Sequence, residues 1–346
     1  MRIVHLLTTN AFSGAESVAC KIIELYKRDS SVEMVYCSPR GQIESFLRDK
    51  KIDYYPLKSF SIKNVRKALQ TLKPDIVHAH DFRASFFMAL LSKNYRFVSH
   101  IHNNAVWIRK KCLFSRLFLY TAKRASKVVN VSDSIIKEYV YGPKIADKCV
   151  TLSNPIDIKD IRNKALLNCF SEKYNIVFCG RLSKEKGPLL FVDLMTEVLK
   201  KHPDYKIAII GAGPLEESVS TMIKERGLSQ ISMLGFLSNP YPVIKNSSII
   251  CIPSEYEGFG LVAVEAICLG VPVVCSGAGG LASIVTPNVG FICQNKNNYI
   301  DSFEKLSDKT TLERYSSSCL EEANRFDNLV SYKKQLGAIY NYDVNE

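Results

Sequence analysis

The run Ser248-Ile249-Ile250-Cys251-Ile252-Pro253-Ser254, followed closely by Glu257-Gly258-Phe259-Gly260-Leu261-Val262-Ala263-Val264-Glu265, reads as an apolar strand, a glycine loop and an apolar helix. Such a strand is apolar enough to be buried on both faces, and a helix directly after it makes one β-α unit of a parallel sheet. The positions three and four before Glu265 are Val262 and Leu261, so this carboxylate sits on or beside a buried face. A buried carboxylate either finds donors in the protein or meets a ligand that brings them. A sugar or ribose diol offers two hydroxyls at a separation that suits one carboxylate. Gly258 and Gly260 stand just before the helix, where amide N–H groups are unpaired and phosphate is the usual anion. The residues alone leave a second reading open, in which Glu257 caps the helix and Glu265 pairs with a core arginine.

Outward from this unit the same alternation fills the chain. Residues 2–9, 31–38, 75–80, 96–102, 127–132 and 149–154 read as strands, and a second set follows at 175–181, 206–213, 248–254 and 271–276. Two sets of β-α units predict an α/β protein of two doubly wound, parallel-sheet domains of Rossmann-like form, facing each other across a cleft. The expected division is 1–168, 169–328 and a closing helix within 329–346 that returns to the first domain. Leu329, Tyr332, Leu336 and Tyr340 carry its helical spacing. The glycines of Gly211-Ala212-Gly213 lack the third glycine of a dinucleotide fingerprint, since Glu216 stands there, which argues against a nicotinamide enzyme.

The chain has 346 residues, 47% hydrophobic and 23% charged, with no apolar run long enough to span a bilayer. It opens directly on a strand, Met1-Arg2-Ile3-Val4-His5, without a signal-peptide layout, so a cytoplasmic location is expected. The eleven cysteines form no C-x-x-C pair and no metal-ligand spacing, and are expected as free thiols. The net charge of +12 is uneven: ten basic residues and no acidic one lie between Asp81 and Asp133. Within that span Trp107–Tyr120, read as one helix, sets Arg109, Lys110, Lys111 and Arg116 beside large apolar residues. This predicts peripheral contact with the inner face of an anionic membrane. The competing reading packs the apolar face on the sheet and leaves the cations in water. No stacking platform accompanies the charge, so nucleic acid is not an expected partner.

Five elements, in order, resemble the retaining glycosyltransferases of family four, which have the GT-B fold. They are Gly180-Arg181-Leu182-Ser183-Lys184-Glu185-Lys186-Gly187, Gly211-Ala212-Gly213-Pro214, Pro253-Ser254-Glu255-Tyr256-Glu257-Gly258-Phe259-Gly260, Gly270-Val271-Pro272 and Gly279-Gly280. The resemblance covers most of the chain. It implies that Arg181 and Lys186 bind the donor diphosphate, that Glu265 holds the ribose and that Glu257 faces the donor sugar. It gives the backbone of Gly258, Phe259, Gly260 and Leu261 to the sugar and phosphate, and makes Gly14 part of an N-terminal glycine loop at the diphosphate. His102 matches the family histidine at the donor sugar, with His100 as competitor. Two departures stand out: Ser283 occupies a position where a glutamate is common, and Asn154-Pro155-Ile156-Asp157 replaces a usual Asn-Gly-Ile-Asp.

The implied activity is retaining transfer of a sugar from a UDP- or GDP-sugar to a glycan or lipid-linked acceptor, as in bacterial surface polysaccharide synthesis. No metal or other cofactor is expected. The alternatives are a sugar-nucleotide epimerase or hydrolase on the same scaffold, and a non-catalytic nucleotide-sugar-binding partner.

Overall fold

The strand runs become two separate parallel sheets in the computed structural model, which describes residues 1–10, 14–167 and 171–342. The first sheet contains β1 (Arg2–Leu6), β2 (Glu33–Pro39), β3 (Tyr54–Leu57), β4 (Ile76–His80), β5 (Phe97–Ile101), β6 (Lys127–Asn130) and β7 (Cys149–Thr151). Its spatial order is β3-β2-β1-β4-β5-β6-β7. The second contains β8 (Tyr174–Cys179), β9 (Ile207–Ile210), β10 (Ile231–Gly235), β11 (Ser247–Ile252), β12 (Val273–Cys275) and β13 (Gly290–Ile292), in the order β10-β9-β8-β11-β12-β13. In both sheets the order reverses once, between β1 and β4 and between β8 and β11. A doubly wound sheet opens its ligand crevice beyond the strand ends at such a reversal.

The chain divides into two compact units, Met1–Pro155 with Asn328–Glu346, and Ile156–Asp327. The division expected at 168/169 falls on residues outside those described. The helix Ile158–Lys164 belongs to the second unit because Ile156, Ile158, Ile161 and Ala165 are buried in the core that holds Val264 and Ile267. Asp157 caps this helix, its side chain accepting from Asp160 N at 2.8 Å.

The closing helix, Leu329–Tyr340, lies in the first unit. It buries Tyr332, Leu336 and Tyr340, and the Tyr26 hydroxyl donates to Lys333 O at 2.9 Å. The Arg96 guanidinium donates to Ile339 O and Tyr340 O at 3.2 and 3.3 Å, satisfying carbonyls that the helix end leaves unpaired.

The basic stretch is not the single helix its spacing predicts. Val106–Arg109 forms one short 3-10 turn, and an α-helix starts only at Leu113 and runs to Arg124. Extended backbone at Lys110 and Cys112 separates them, and Cys112 N donates to Ser115 Oγ at 2.9 Å where the helix begins. Phe118 is thereby buried, whereas Leu113 and Phe114 are 68% and 54% exposed. Lys110, Lys111 and Arg116 are exposed as well. Arg109 is committed elsewhere, to Glu138 at 2.7 Å. The sequence window around Arg109 held no acid because its partner comes from a later helix.

Candidate active site

In the second unit, Arg181 and Lys186 lie on the loop after β8, and Glu257 lies on the loop after β11, the two strands that meet at the order reversal. Two close backbone approaches hold these loops. Gly187 has a left-handed backbone, φ +68°, and a Cβ there would stand 2.4 Å from Pro253 O. Glu255 N donates to Glu185 O at 2.8 Å, tying the same two loops. Beneath the second loop, Gly279 has φ +55° and a Cβ would fall 1.7 Å from Glu257 O. Only glycine fits where backbone lies this close to backbone. The Gly279-Gly280 pair is thus the floor on which Glu257 rests.

The outcome is a short ion pair: Lys186 Nζ donates to Glu257 Oε2 at 2.6 Å, with Glu257 only 14% exposed and Lys186 30%. Ser254 Oγ donates to the same oxygen at 3.5 Å. Arg181 is exposed and makes no ion pair among the described residues. The loop after β8 thus carries two cations, Lys186 paired with Glu257 and Arg181 exposed to solvent with the Glu185 carboxylate in its field.

The helix Leu261–Cys268 begins at Gly260, φ +102°, and no side chain caps it. Glu257 is therefore not its cap, which removes half of the purely structural reading of the pair. Glu265 is half-buried on this helix, and Tyr241 OH donates to its Oε1 at 2.8 Å. Burial, and then the charge of Glu265, raises the Tyr241 hydroxyl far above its usual range, keeping it a donor. Cys179, at the end of β8, is pushed up to about 12 by burial, with Glu265 raising it and Lys186 lowering it. Both charges thus act on one half-buried thiol. Tyr241 and Ser254 were not among the expected site residues. Tyr241 lies in a five-residue helix, Tyr241–Lys245, whose only sequence signal is a tyrosine ahead of a proline. Ser283 is exposed and donates to Gly280 O at 2.8 Å, taking part in the local turn.

In the first unit, His102 lies just past β5 and is half-buried, while His100 is fully enclosed. The His102 ring Nε2 meets His80 Nδ1 at 2.8 Å, and its backbone N donates to Asp81 Oδ1 at 3.1 Å. Gly14 is exposed and opens the helix Gly14–Tyr26; the rest of the expected glycine loop, residues 11–13, lies outside the described residues.

Two doubly wound units with a cation-and-glycine site at the sheet reversal define a GT-B glycosyltransferase scaffold. Residues 159–325 match the model of the glycosyl transferases group 1, and residues 13–160 match that of glycosyltransferase family 4. The chain belongs to this family of glycosyltransferases. It is 22% identical to a UDP-Gal:α-D-GlcNAc-diphosphoundecaprenol α-1,3-galactosyltransferase of Escherichia coli, over 98% of this chain and 96% of that one. It is 26% identical to a Campylobacter jejuni 4-α-N-acetylgalactosaminyltransferase acting on a diphospho-undecaprenol-linked sugar, over 66% of this chain and 63% of that protein. Among solved structures, Anabaena HepE in complex with UDP-glucose superposes with a TM-score of 0.83 at 20% identity, covering 98% of each chain. No helix among the described residues is long and apolar enough to cross a membrane.

Proposed function

We propose that the protein transfers a sugar from a UDP-sugar to a lipid-linked acceptor glycan, with retention at the anomeric carbon, in the assembly of a surface polysaccharide. The observation that carries this reading is the Lys186–Glu257 pair, on a loop that also presents the exposed Arg181. When the anomeric C–O bond breaks, its electron pair leaves on the diphosphate oxygen. Arg181 and Lys186 meet that charge, and fixed cations placed where charge develops stabilise the transition state. Lys186 has three donor hydrogens and can hold Glu257 and a phosphate oxygen together. Glu257 then accepts from hydroxyls of the transferred sugar, and Glu265, oriented by Tyr241, accepts from the ribose diol. The uncapped amides at Gly258–Leu261 serve the sugar and phosphate oxygens. Gly14 is assigned to the diphosphate and His102 to the donor sugar.

The choice of UDP over GDP is supported by the HepE complex and by the donor in the name of the Escherichia coli relative. A lipid-linked acceptor is supported by both enzymes named above. The exposed Lys110, Lys111 and Arg116 beside Leu113 and Phe114 suit an anionic bilayer on which such an acceptor sits. Incubation with UDP-sugars and a diphospho-lipid acceptor, followed by proton NMR of the product's anomeric coupling, tests the reading. An axial α-product from an α-donor is expected. An inverted product refutes retention, and donor breakdown to free sugar alone points to a hydrolase.

A further inference from the structure

Five of the chain's six histidines gather on the first sheet, four on its three central strands and His102 just past β5. They make two separate imidazole chains. In one, His5 Nδ1 faces His80 Nε2 at 3.0 Å, and His80 Nδ1 faces His102 Nε2 at 2.8 Å. In the other, the Tyr340 hydroxyl meets His78 Nδ1 at 2.5 Å and His78 Nε2 faces His100 Nδ1 at 3.0 Å. Each ring-to-ring link joins the Nδ1 of one ring to the Nε2 of the next. The separations of 2.8 and 3.0 Å are too short for face-stacked rings, so neighbouring imidazoles meet edge to edge. Their interplanar angles of 15° and 30° along the His5–His80–His102 chain fit that arrangement.

These geometries favour hydrogen bonds over a shared metal ion. His78 and His80 lie parallel within 9°, with centroids 4.6 Å apart, so their in-plane lone pairs run side by side and do not converge. The His80–His102 nitrogens stand at 2.8 Å, inside the roughly 3.3 Å that two ligands keep on one tetrahedral zinc at its usual bond lengths.

A neutral head-to-tail chain has only two states, because each ring must donate at one nitrogen and accept at the other. Burial holds His5 and His102 far below the ordinary imidazole value, at about 3 and about 4, so both are neutral near pH 7. If every ring carries its proton on Nδ1, the inner end is a bare His5 Nε2 and the outer end is a His102 N–H. If every ring carries it on Nε2, the inner end is a buried N–H. His5 Nε2 is enclosed and has no partner, and orphaned buried N–H groups are rare. His102 Nδ1 makes no hydrogen bond among the described residues.

We propose that His80, backed by His5, is a positioning residue that locks His102 in its Nδ1–H tautomer and aims one N–H donor at a ligand oxygen. Asp81 completes the hold by accepting the His102 backbone N–H from a left-handed conformation, φ +63°. The role in transfer rests on the assignment of His102 to the donor sugar; the tautomer does not.

Long-range nitrogen–proton NMR of the full chain labelled in its histidine rings reads the tautomer without any substrate. The expected wild-type His102 signal is that of Nδ1–H, and in His80→Phe it moves to a mixture. His80→Asn, whose amide N–H can donate near the position of Nδ1, retains the wild-type pattern and guards against a folding failure in the phenylalanine variant. In transfer assays His80→Phe lowers kcat at least about tenfold with the donor KM within about twofold, and His80→Asn recovers most of it. A wild-type Nε2–H signal, or a signal unmoved in His80→Phe, overturns the proposal. So does stoichiometric zinc binding that His80→Phe abolishes, which would make the cluster a metal site. Full activity in His102→Phe, together with the expected His102 tautomer in the wild type and its change in His80→Phe, refutes the role of His102 in transfer and leaves the imidazole chain standing.

Discussion

Lys186 Nζ lies 2.6 Å from Glu257 Oε2, joining the loop after β8 to the loop after β11 across 71 positions of sequence. In the proposed function this pair sets a cation toward the leaving phosphate and a carboxylate toward the departing sugar. Lys186→Ala is expected to lower kcat on the order of 100-fold, the typical effect of removing one group that stabilises developing charge. Glu257→Gln is expected to lower kcat while leaving UDP affinity within about threefold, because the proposed function assigns its contact to the sugar. Steady-state kinetics with a competing UDP titration separates the two, and equal losses of affinity in both variants contradict the division of roles.

The floor beneath Glu257 is tested by Gly279→Ala. A Cβ at this position would sit 1.7 Å from Glu257 O on a backbone with φ +55°, so the loop must move. The expected result is a fall in kcat of at least about tenfold, since small misplacements of reacting groups are costly. Measuring the melting temperature alongside kcat tells displacement of the loop from general unfolding.

Acid should destabilise the first unit through its histidines. Burial lowers His5 to about 3 and His102 to about 4, and holds His78, His80 and His100 well below the usual imidazole value. Between about pH 6.5 and pH 4 the unfolded chain therefore binds protons that the folded rings refuse, and stability falls as pH falls. Asp81 opposes this with a single proton: burial raises its carboxyl to about 6, so its folded form takes up a proton before its unfolded form does. The net effect keeps the sign set by the five imidazoles. Urea unfolding across this range should show a steep loss of stability towards acid, and His5→Phe should flatten it. A flat profile contradicts neutral burial of the cluster.

The element order was readable because the central strands are near-continuous apolar runs, as doubly buried parallel strands must be. Three strands escaped notice, β3, β10 and β13, and each lies at a sheet edge. Edge strands are buried less and carry weaker patterns; β3 even contains Pro56, which only an edge tolerates easily. The motif residues of the site were legible because glycine and charge punctuate apolar runs. Tyr241 and the His5–His80 support of His102 were not, since nothing in their own neighbourhoods marks them. The first sheet brings the histidines together by register, His80 opposite His100 and His5 opposite His78.

The membrane reading now rests on Lys110, Lys111 and Arg116, because Arg109 already pairs with Glu138. Replacing those three by alanine should weaken binding to anionic vesicles roughly 100-fold, at about 1 kcal/mol for each charge near the surface. Arg109→Ala should change it far less. Sedimentation with vesicles of increasing phosphatidylglycerol content checks this, and binding that is indifferent to lipid charge or to the triple substitution ends the idea.

The central claim is that the Arg181, Lys186, Glu257 and Glu265 cluster receives a nucleoside diphosphate sugar. Calorimetric titration of UDP into the full-length wild type and into Glu265→Ala tests it most directly. One-to-one binding to the wild type is expected, weakened at least about tenfold in the variant, the scale of losing hydrogen bonds to a charged group. Equal affinity in the two proteins, or no binding of UDP or any other nucleoside diphosphate to the wild type, would contradict it.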